Sequence, residues 1–198
     1  MNVDTLLLAI VQPDDVDTAI GALTGAGFAV TVIASVGGFS SARNVTLLIG
    51  LSASDIERAR ALLQAACHRR AIHAPIETTM SGATVFVCPV TRYVHFDKGY
   101  LSIDSTRAPL EPGTLQLLWV IVTPHLSDKL IETLTAWSYH VTMLGTTGGY
   151  SRRANTTLLC AVRAERVDSI VQQVGQVCKV HDANATLLAL RLERVERF

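Results

Sequence analysis

The feature that most constrains this chain is that it contains one stretch twice. Thr146-Thr-Gly-Gly-Tyr150-Ser-Arg-Arg-Ala-Asn155-Thr-Thr157 is matched, 111 positions earlier, by Ser35-Val-Gly-Gly-Phe39-Ser-Ser-Ala-Arg-Asn44-Val-Thr46. The same offset holds without insertion from Pro13/Pro124 to Cys67/Cys178, through Asp17/Asp128, Leu23/Leu134, Thr31/Thr142 and Leu48/Leu159. A register kept over that length is the mark of an internal duplication. With 198 residues and 49% apolar composition, each copy has about 90 residues, enough for a small core of its own.

The pattern within each copy gives its element order. Residues 4–11 read as one strand whose continuous apolar run, Leu6 to Val11, suits burial on both faces. Pro13 with Asp14, Asp15 and Asp17 places a fixed φ and negative charge where a helix begins, and Val16, Ile20 and Leu23 form its stripe up to Gly25-Ala-Gly27. Phe28 to Val36 and Val45 to Leu51 read as a strand pair around the glycine turn. Ser54 and Asp55 are placed to cap a second helix with Ile56, Ala59, Leu62 and Leu63 inward, and Gly82 to Val90 is a fourth strand broken by Pro89.

The order βαββαβ predicts an α+β fold, two tandem ferredoxin-like units with both helices on one face of an antiparallel sheet. The expected domains are residues 1–96 and 115–198, with 97–114 as a connector rich in turn residues. Helices are expected at 127–137 and 164–178 in the second copy, with strands at 117–122, 139–146, 156–162 and 184–192. One sheet face is left without helices, so packing of sheet on sheet, and a homo-oligomer, are expected.

Charge and cysteine usage remove several classes. Seventeen basic residues balance seventeen acidic ones, so no global field recruits a nucleic acid polymer or an anionic membrane. Cys67, Cys88, Cys160 and Cys178 have no CxxC spacing and read as thiols in a reducing compartment. The apolar run Leu6 to Val11 is too short for a signal peptide or a span, and a cytoplasmic protein is expected.

Gly37-Gly38 and Gly148-Gly149 have two readings. They are hairpin glycines supplying φ > 0, with Phe39 and Tyr150 as core aromatics. Alternatively, their main-chain N–H groups approach an anion, Asn44 and Asn155 add amide donors, the aromatic stacks on a base, and Arg43, Arg152 and Arg153 neutralise phosphate. There is no Walker A lysine and no GxGxxG opening a helix. His68, His73, His95, His140 and His181 have neither an i, i+4 partner nor a duplicated position, so no metal site is expected. Ser40 and Ser151 lack a sequence-visible base. No catalytic residue and no cofactor are assigned, and the chain is expected not to be an enzyme.

These residues resemble the cyclic di-AMP receptor proteins related to the nitrogen-regulatory PII proteins. The resemblance rests on Ala9-Ile-Val-Gln12, Gly82-Ala-Thr-Val-Phe-Val-Cys-Pro-Val90 with Phe96, Thr146-Thr-Gly-Gly-Tyr150, Asn155-Thr-Thr-Leu-Leu-Cys160 and Arg166-Val-Asp168. It covers nearly the whole chain outside the connector. It implies a homotrimer of ferredoxin-like subunits that binds cyclic di-AMP between neighbouring subunits and relays it to a protein partner. The ligand-contacting positions it implies are Thr31, Gly38, Phe39, Asn44, Gly50 and Phe86 in the first copy and Thr142, Gly149, Tyr150 and Asn155 in the second, beside Gly37 and Gly148. The chain departs from that pattern at Ala29 and His140, where the family has a basic residue, at Ala161 and Leu188, where it has glycine and phenylalanine, and in the short link from Lys179 to Ala183. A ligand-free oligomeric scaffold is the competing expectation.

Overall fold

A computed structural model describes residues 3–36, 43–68, 70–72, 78–80, 82–106, 111–149 and 154–192. Gly37, Gly38, Phe39 and Tyr150 lie outside the described residues. The elements, in order, are β1 (Thr5–Val11), α1 (Val16–Gly25), β2 (Ala29–Val36), β3 (Arg43–Leu51), α2 (Ile56–Ala66), β4 (Arg70–Ile72), β5 (Thr78–Met80), β6 (Ala83–Asp97), β7 (Tyr100–Thr106), β8 (Leu115–Val122), α3 (Pro124–Ala136), β9 (Val141–Gly148), β10 (Ala154–Arg163), α4 (Val167–Val180) and β11 (Ala185–Leu192). Contacts divide the described chain into two compact units. The first comprises 5–88 with 147–149, and the second 3–4, 89–146 and 154–192.

In the first unit β6, β1, β3 and β2 are neighbours in that order, the arrangement that βαββαβ connectivity gives in a ferredoxin-like fold. β1 and β3 are antiparallel from Thr5↔Leu51 to Val11↔Val45, and β2 and β3 from Ala29↔Gly50 to Val36↔Arg43. Leu7, Ala9 and Val11 of β1, Leu47, Ile49 and Leu51 of β3, and Phe28 and Val30 point to one side and meet Ala19 and Leu23 of α1 and Ala59, Leu63 and Ala66 of α2. Val16, Ile20, Ile56 and Leu62, expected on the helix stripes, are only partly buried at the margin of this core. β4 and β5 form a separate antiparallel pair.

The second unit repeats the scheme with β11, β8, β10 and β9. Leu118, Val120 and Val122, Leu158, Cys160 and Val162, and Leu187 and Ala189 face Leu126, Leu130 and Leu134 of α3 and Val167, Ile170, Val171, Val174, Val177 and Cys178 of α4. Cys88, Cys160 and Cys178 form no disulfide. Burial pushes the Cys160 thiol up to about 12 and that of Cys178 to about 11, so both stay protonated at neutral pH.

Several local expectations are corrected. Asp15 does not cap α1 with its side chain. It is buried, and its Oδ2 accepts from the His68 N–H at 3.2 Å while Oδ1 lies 3.4 Å from His68 Nδ1, tying the segment after α2 to the start of α1. Ser54 and Asp55 lie inside a 3-10 turn, Ala53–Asp55, which Ser52 caps by accepting from the Ser54 N–H. Pro89 does not end its strand: β6 continues to Asp97, and its register with β11 begins one residue later, at Val90. Proline is tolerated in a strand where its missing N–H is not required by a ladder partner, and Pro89 lies just outside the register with β11.

The stretch read from its turn residues as coil also holds a strand. β7 pairs with β6 from Arg92↔Thr106 to Asp97↔Tyr100. Arg92 carries out the pinning: its Nε and Nη2 donate to the two Asp104 carboxylate oxygens at 3.0 and 2.8 Å, and Nη1 bonds Asp168 in the first turn of α4. The alternation Leu101, Ile103 against Ser102, Asp104 was too short to outweigh the glycine and proline around it.

Candidate functional site

The candidate positions separate by strand parity. In β3, Leu47, Ile49 and Leu51 are in the core, so Thr46, Leu48 and Gly50 face the side without helices. Gly50 stands opposite Leu6 on β1 and Ala29 on β2, and Leu48 stands opposite Thr31. Where Ala29 and Gly50 meet, one side chain is a methyl and the other is missing. On β6, Ala83 and Val85 pack against the core, so Phe86 belongs to the opposite face, where it is 52% exposed. β6 neighbours β1 and β1 neighbours β3, so Phe86 and Gly50 lie on strands about 10 Å apart. Thr31, Gly50 and Phe86 therefore share the helix-free face of the first unit. Asn44 is in β3 opposite Ser35.

The glycine motif of the second copy is less of a loop than its sequence suggests. Thr146, Thr147 and Gly148 are the end of β9, and Asn155 is the second residue of β10. Gly149 is buried, and its N–H donates to the Val30 carbonyl at 2.7 Å within the first unit. A Cβ on Gly149 would stand 2.9 Å from Val30 Cβ and 3.0 Å from Val30 O. The glycine thus lets two backbones meet, and the amide offered by the sequence to an anion is bonded to the β2 strand.

In the second unit Thr142 is exposed and Asn155 half-buried. Thr157 and Leu159 alternate with the core residues Leu158 and Cys160, so they face the helix-free side. A row Leu159, Trp119, Leu188, Tyr93 crosses four strands on that side. Leu188 is buried, and the Trp119 Nε1–H is buried without a hydrogen-bond partner among the described residues. Burial pushes the Tyr93 hydroxyl above its usual range. Trp119 and Tyr93 went unnoticed in the sequence; the alternation of Leu117, Trp119 and Ile121 against Leu118, Val120 and Val122 was the signal that placed Trp119 on this face.

Thr146 and Thr157 are both buried, with their hydroxyl oxygens 3.1 Å apart. Thr157→Val leaves the Thr146 hydroxyl buried without its partner and is expected to cost on the order of 1 kcal/mol. The double change Thr146→Val with Thr157→Val should recover most of it. Urea unfolding of the single and double variants measures this, and a double variant whose loss equals the sum of the two single losses would show the pair to be uncoupled.

Among the described residues no group of three or more His, Cys, Asp and Glu is placed to hold a metal ion. No described helix is long and apolar enough to cross a membrane.

Fold and surface together define an α+β protein of ferredoxin type, and the helix-free face of its first unit carries Thr31, Gly50 and Phe86. The profile of the cyclic-di-AMP receptor family matches residues 4–96 and 115–191, and the chain belongs to that family. The match falls in two segments, as a tandem duplication gives. The family is one of receptors for a nucleotide ligand. Among solved structures, a functionally unknown protein from Pediococcus pentosaceus ATCC 25745 is 28% identical, with 44% of this chain and 92% of that chain covered and a TM-score of 0.39. The small subunit of acetolactate synthase from Thermotoga maritima is 9% identical, with 98% of this chain and 100% of that chain covered and a TM-score of 0.37.

Proposed function

We propose that this protein is a non-enzymatic, PII-like signalling protein of the cytoplasm that binds a cyclic dinucleotide, cyclic di-AMP, and relays its presence to a protein partner. It does so as a homo-oligomer, a trimer being favoured, of chains that each carry two copies of the module, residues 1–96 and 115–198. The observation that carries this reading is the match to the receptor family over both segments. The ligand rests on the helix-free face of the first unit. There Thr31 supplies a hydroxyl, Gly50 leaves room for a ring, and Phe86 offers an aromatic face to a base. Gly37, Gly38 and Phe39, which follow β2 in sequence, and Asn44 of β3 are further candidate positions of this site, and Gly148, Tyr150, Thr142 and Asn155 are the corresponding positions of the second copy.

A second reading, a ligand-free scaffold, is favoured for the second copy by two observations. The Gly149 amide is bonded to Val30, and Leu188, which stands where the family has the phenylalanine matched by Phe86 in the first copy, is buried whereas Phe86 is 52% exposed. The expected stoichiometry is therefore one nucleotide per chain. Isothermal titration calorimetry with cyclic di-AMP, other cyclic dinucleotides and ATP tests this, alongside native mass measurement of the oligomer. Heat that saturates at one equivalent of cyclic di-AMP supports the receptor reading. Silence from every nucleotide, with the oligomer intact, leaves the scaffold.

A further inference from the structure

The first helix of each unit ends in the same turn. In the first unit the Gly27 N–H donates to Thr24 O at 2.9 Å and the Phe28 N–H to Leu23 O at 3.0 Å; 111 residues later the Ser138 N–H donates to Thr135 O at 2.9 Å and the Tyr139 N–H to Leu134 O at 3.1 Å. The left-handed residue is also the same, Gly27 with φ 89° and Ser138 with φ 64°. The carbonyl before that residue and the ring after it therefore have the same relation in both units.

In the first unit the chain's own cation fills this place. The Arg58 guanidinium lies 5.4 Å from the centre of the Phe28 ring and donates to the Ala26 carbonyl at 3.2 Å, at the negative end of α1. Phe28 is buried beneath it. The residue at the Arg58 position of the second unit is Ser169. Here the place is a cavity of about 390 Å³ lined by Trp137, Tyr139, Arg166 and Ser169, and the Tyr139 ring is only half-buried. The charged residue of this lining is Arg166; burial pushes the Tyr139 hydroxyl above its usual range, with Arg166 opposing and the nearby Glu165 adding to the shift.

We propose that this cavity in the second unit is a site for a guanidinium group, held over the Tyr139 ring and hydrogen-bonded to the Trp137 carbonyl as Arg58 is held over Phe28 and bonded to Ala26. A planar, weakly hydrated cation with donors in its plane satisfies both contacts at once, and a compact ammonium does not. The source is either a small free guanidine or an arginine side chain presented by a partner protein.

The test uses the full chain, followed by NMR at the Trp137 indole N–H and the Tyr139 amide. It is titrated with ethylguanidinium chloride, with ethylammonium chloride at matched ionic strength, and with the peptide acetyl-Gly-Arg-Gly-amide. Ethylguanidinium is expected to give saturable shifts with half-saturation on the order of 10 mM, and ethylammonium to bind about 2- to 5-fold more weakly. Ser169→Arg, which supplies the equivalent of Arg58, should abolish the response. Tyr139→Leu should weaken it and serves as a second variant if the first fails to fold. Tighter binding of the peptide than of ethylguanidinium points to a partner's arginine, and equal binding points to a small guanidine; either upholds the site. Equal responses to the two cations, or shifts that persist in both variants, overturn it.

Discussion

Gly99→Ala is expected to lower the stability of the second unit by about 3 kcal/mol, through two additive causes. Gly99 has φ 77°, a left-handed conformation that costs a residue with a Cβ about 1–2 kcal/mol. In addition, a Cβ there would stand 2.1 Å from Lys179 Cα and 2.3 Å from Lys179 N, inside any tolerable contact and against backbone that has no rotamer to change. The β6–β7 turn must then lift away from the α4–β11 link. Lifting breaks the bonds from Gly99 N–H to Ala183 O at 2.9 Å and from Lys98 N–H to Asn184 Oδ1 at 2.8 Å, each of which contributes roughly 1 kcal/mol. It also separates the Lys179 ammonium from the Tyr100 ring, now 5.7 Å apart.

Gly113→Ala is the control. Its φ is 82°, and nothing lies within 4 Å of where its Cβ would be, so only the conformational cost applies. Urea unfolding with hydrogen exchange at the Lys98 and Gly99 amides separates the two causes. If both glycine variants lose equal stability, the turn is not docked on the Lys179 backbone.

Phe86→Ala is expected to weaken cyclic di-AMP binding about 10- to 100-fold, the loss that removal of one stacking ring produces, while leaving unfolding nearly unchanged. The two effects separate because the side chain is 52% exposed and faces away from the core that Ala83 and Val85 touch. Phe86→Trp, which keeps a flat ring, should retain affinity. Calorimetry of the three proteins reads the outcome, and an Ala variant that binds as tightly as the parent would remove Phe86 from the proposed site.

Much of the fold was legible in residue order. The 111-residue register announced two modules, and in β3 the alternation of Leu47, Ile49 and Leu51 with Thr46, Leu48 and Gly50 fixed which residues could share a face. The site was legible only in part. The resemblance to the receptor family named Thr31, Gly50 and Phe86, and strand parity in the structure then put them on one face. Gly149 was misleading, because a glycine that admits a ligand and a glycine that admits Val30 look identical in sequence. Asp15 was misread for a similar reason: a carboxylate at a helix start suits the helix dipole, but its bond to the His68 N–H, 53 residues away, depends on how α2 returns.

The sequence by itself determined what is local and periodic: the βαββαβ order, the alternation along the strands, and the repetition that makes one unit a template for the other. Tertiary structure alone decided what depends on approach between distant segments. It turned a glycine- and proline-rich stretch into β7, bonded Gly149 to the Val30 carbonyl, and closed with Arg58 in one unit the notch that Ser169 leaves open in the other. The physical reason is range. Propensity and periodicity act within a turn or a strand, whereas the partner of a buried amide, carboxylate or ring is chosen only when chain segments far apart in sequence are packed together.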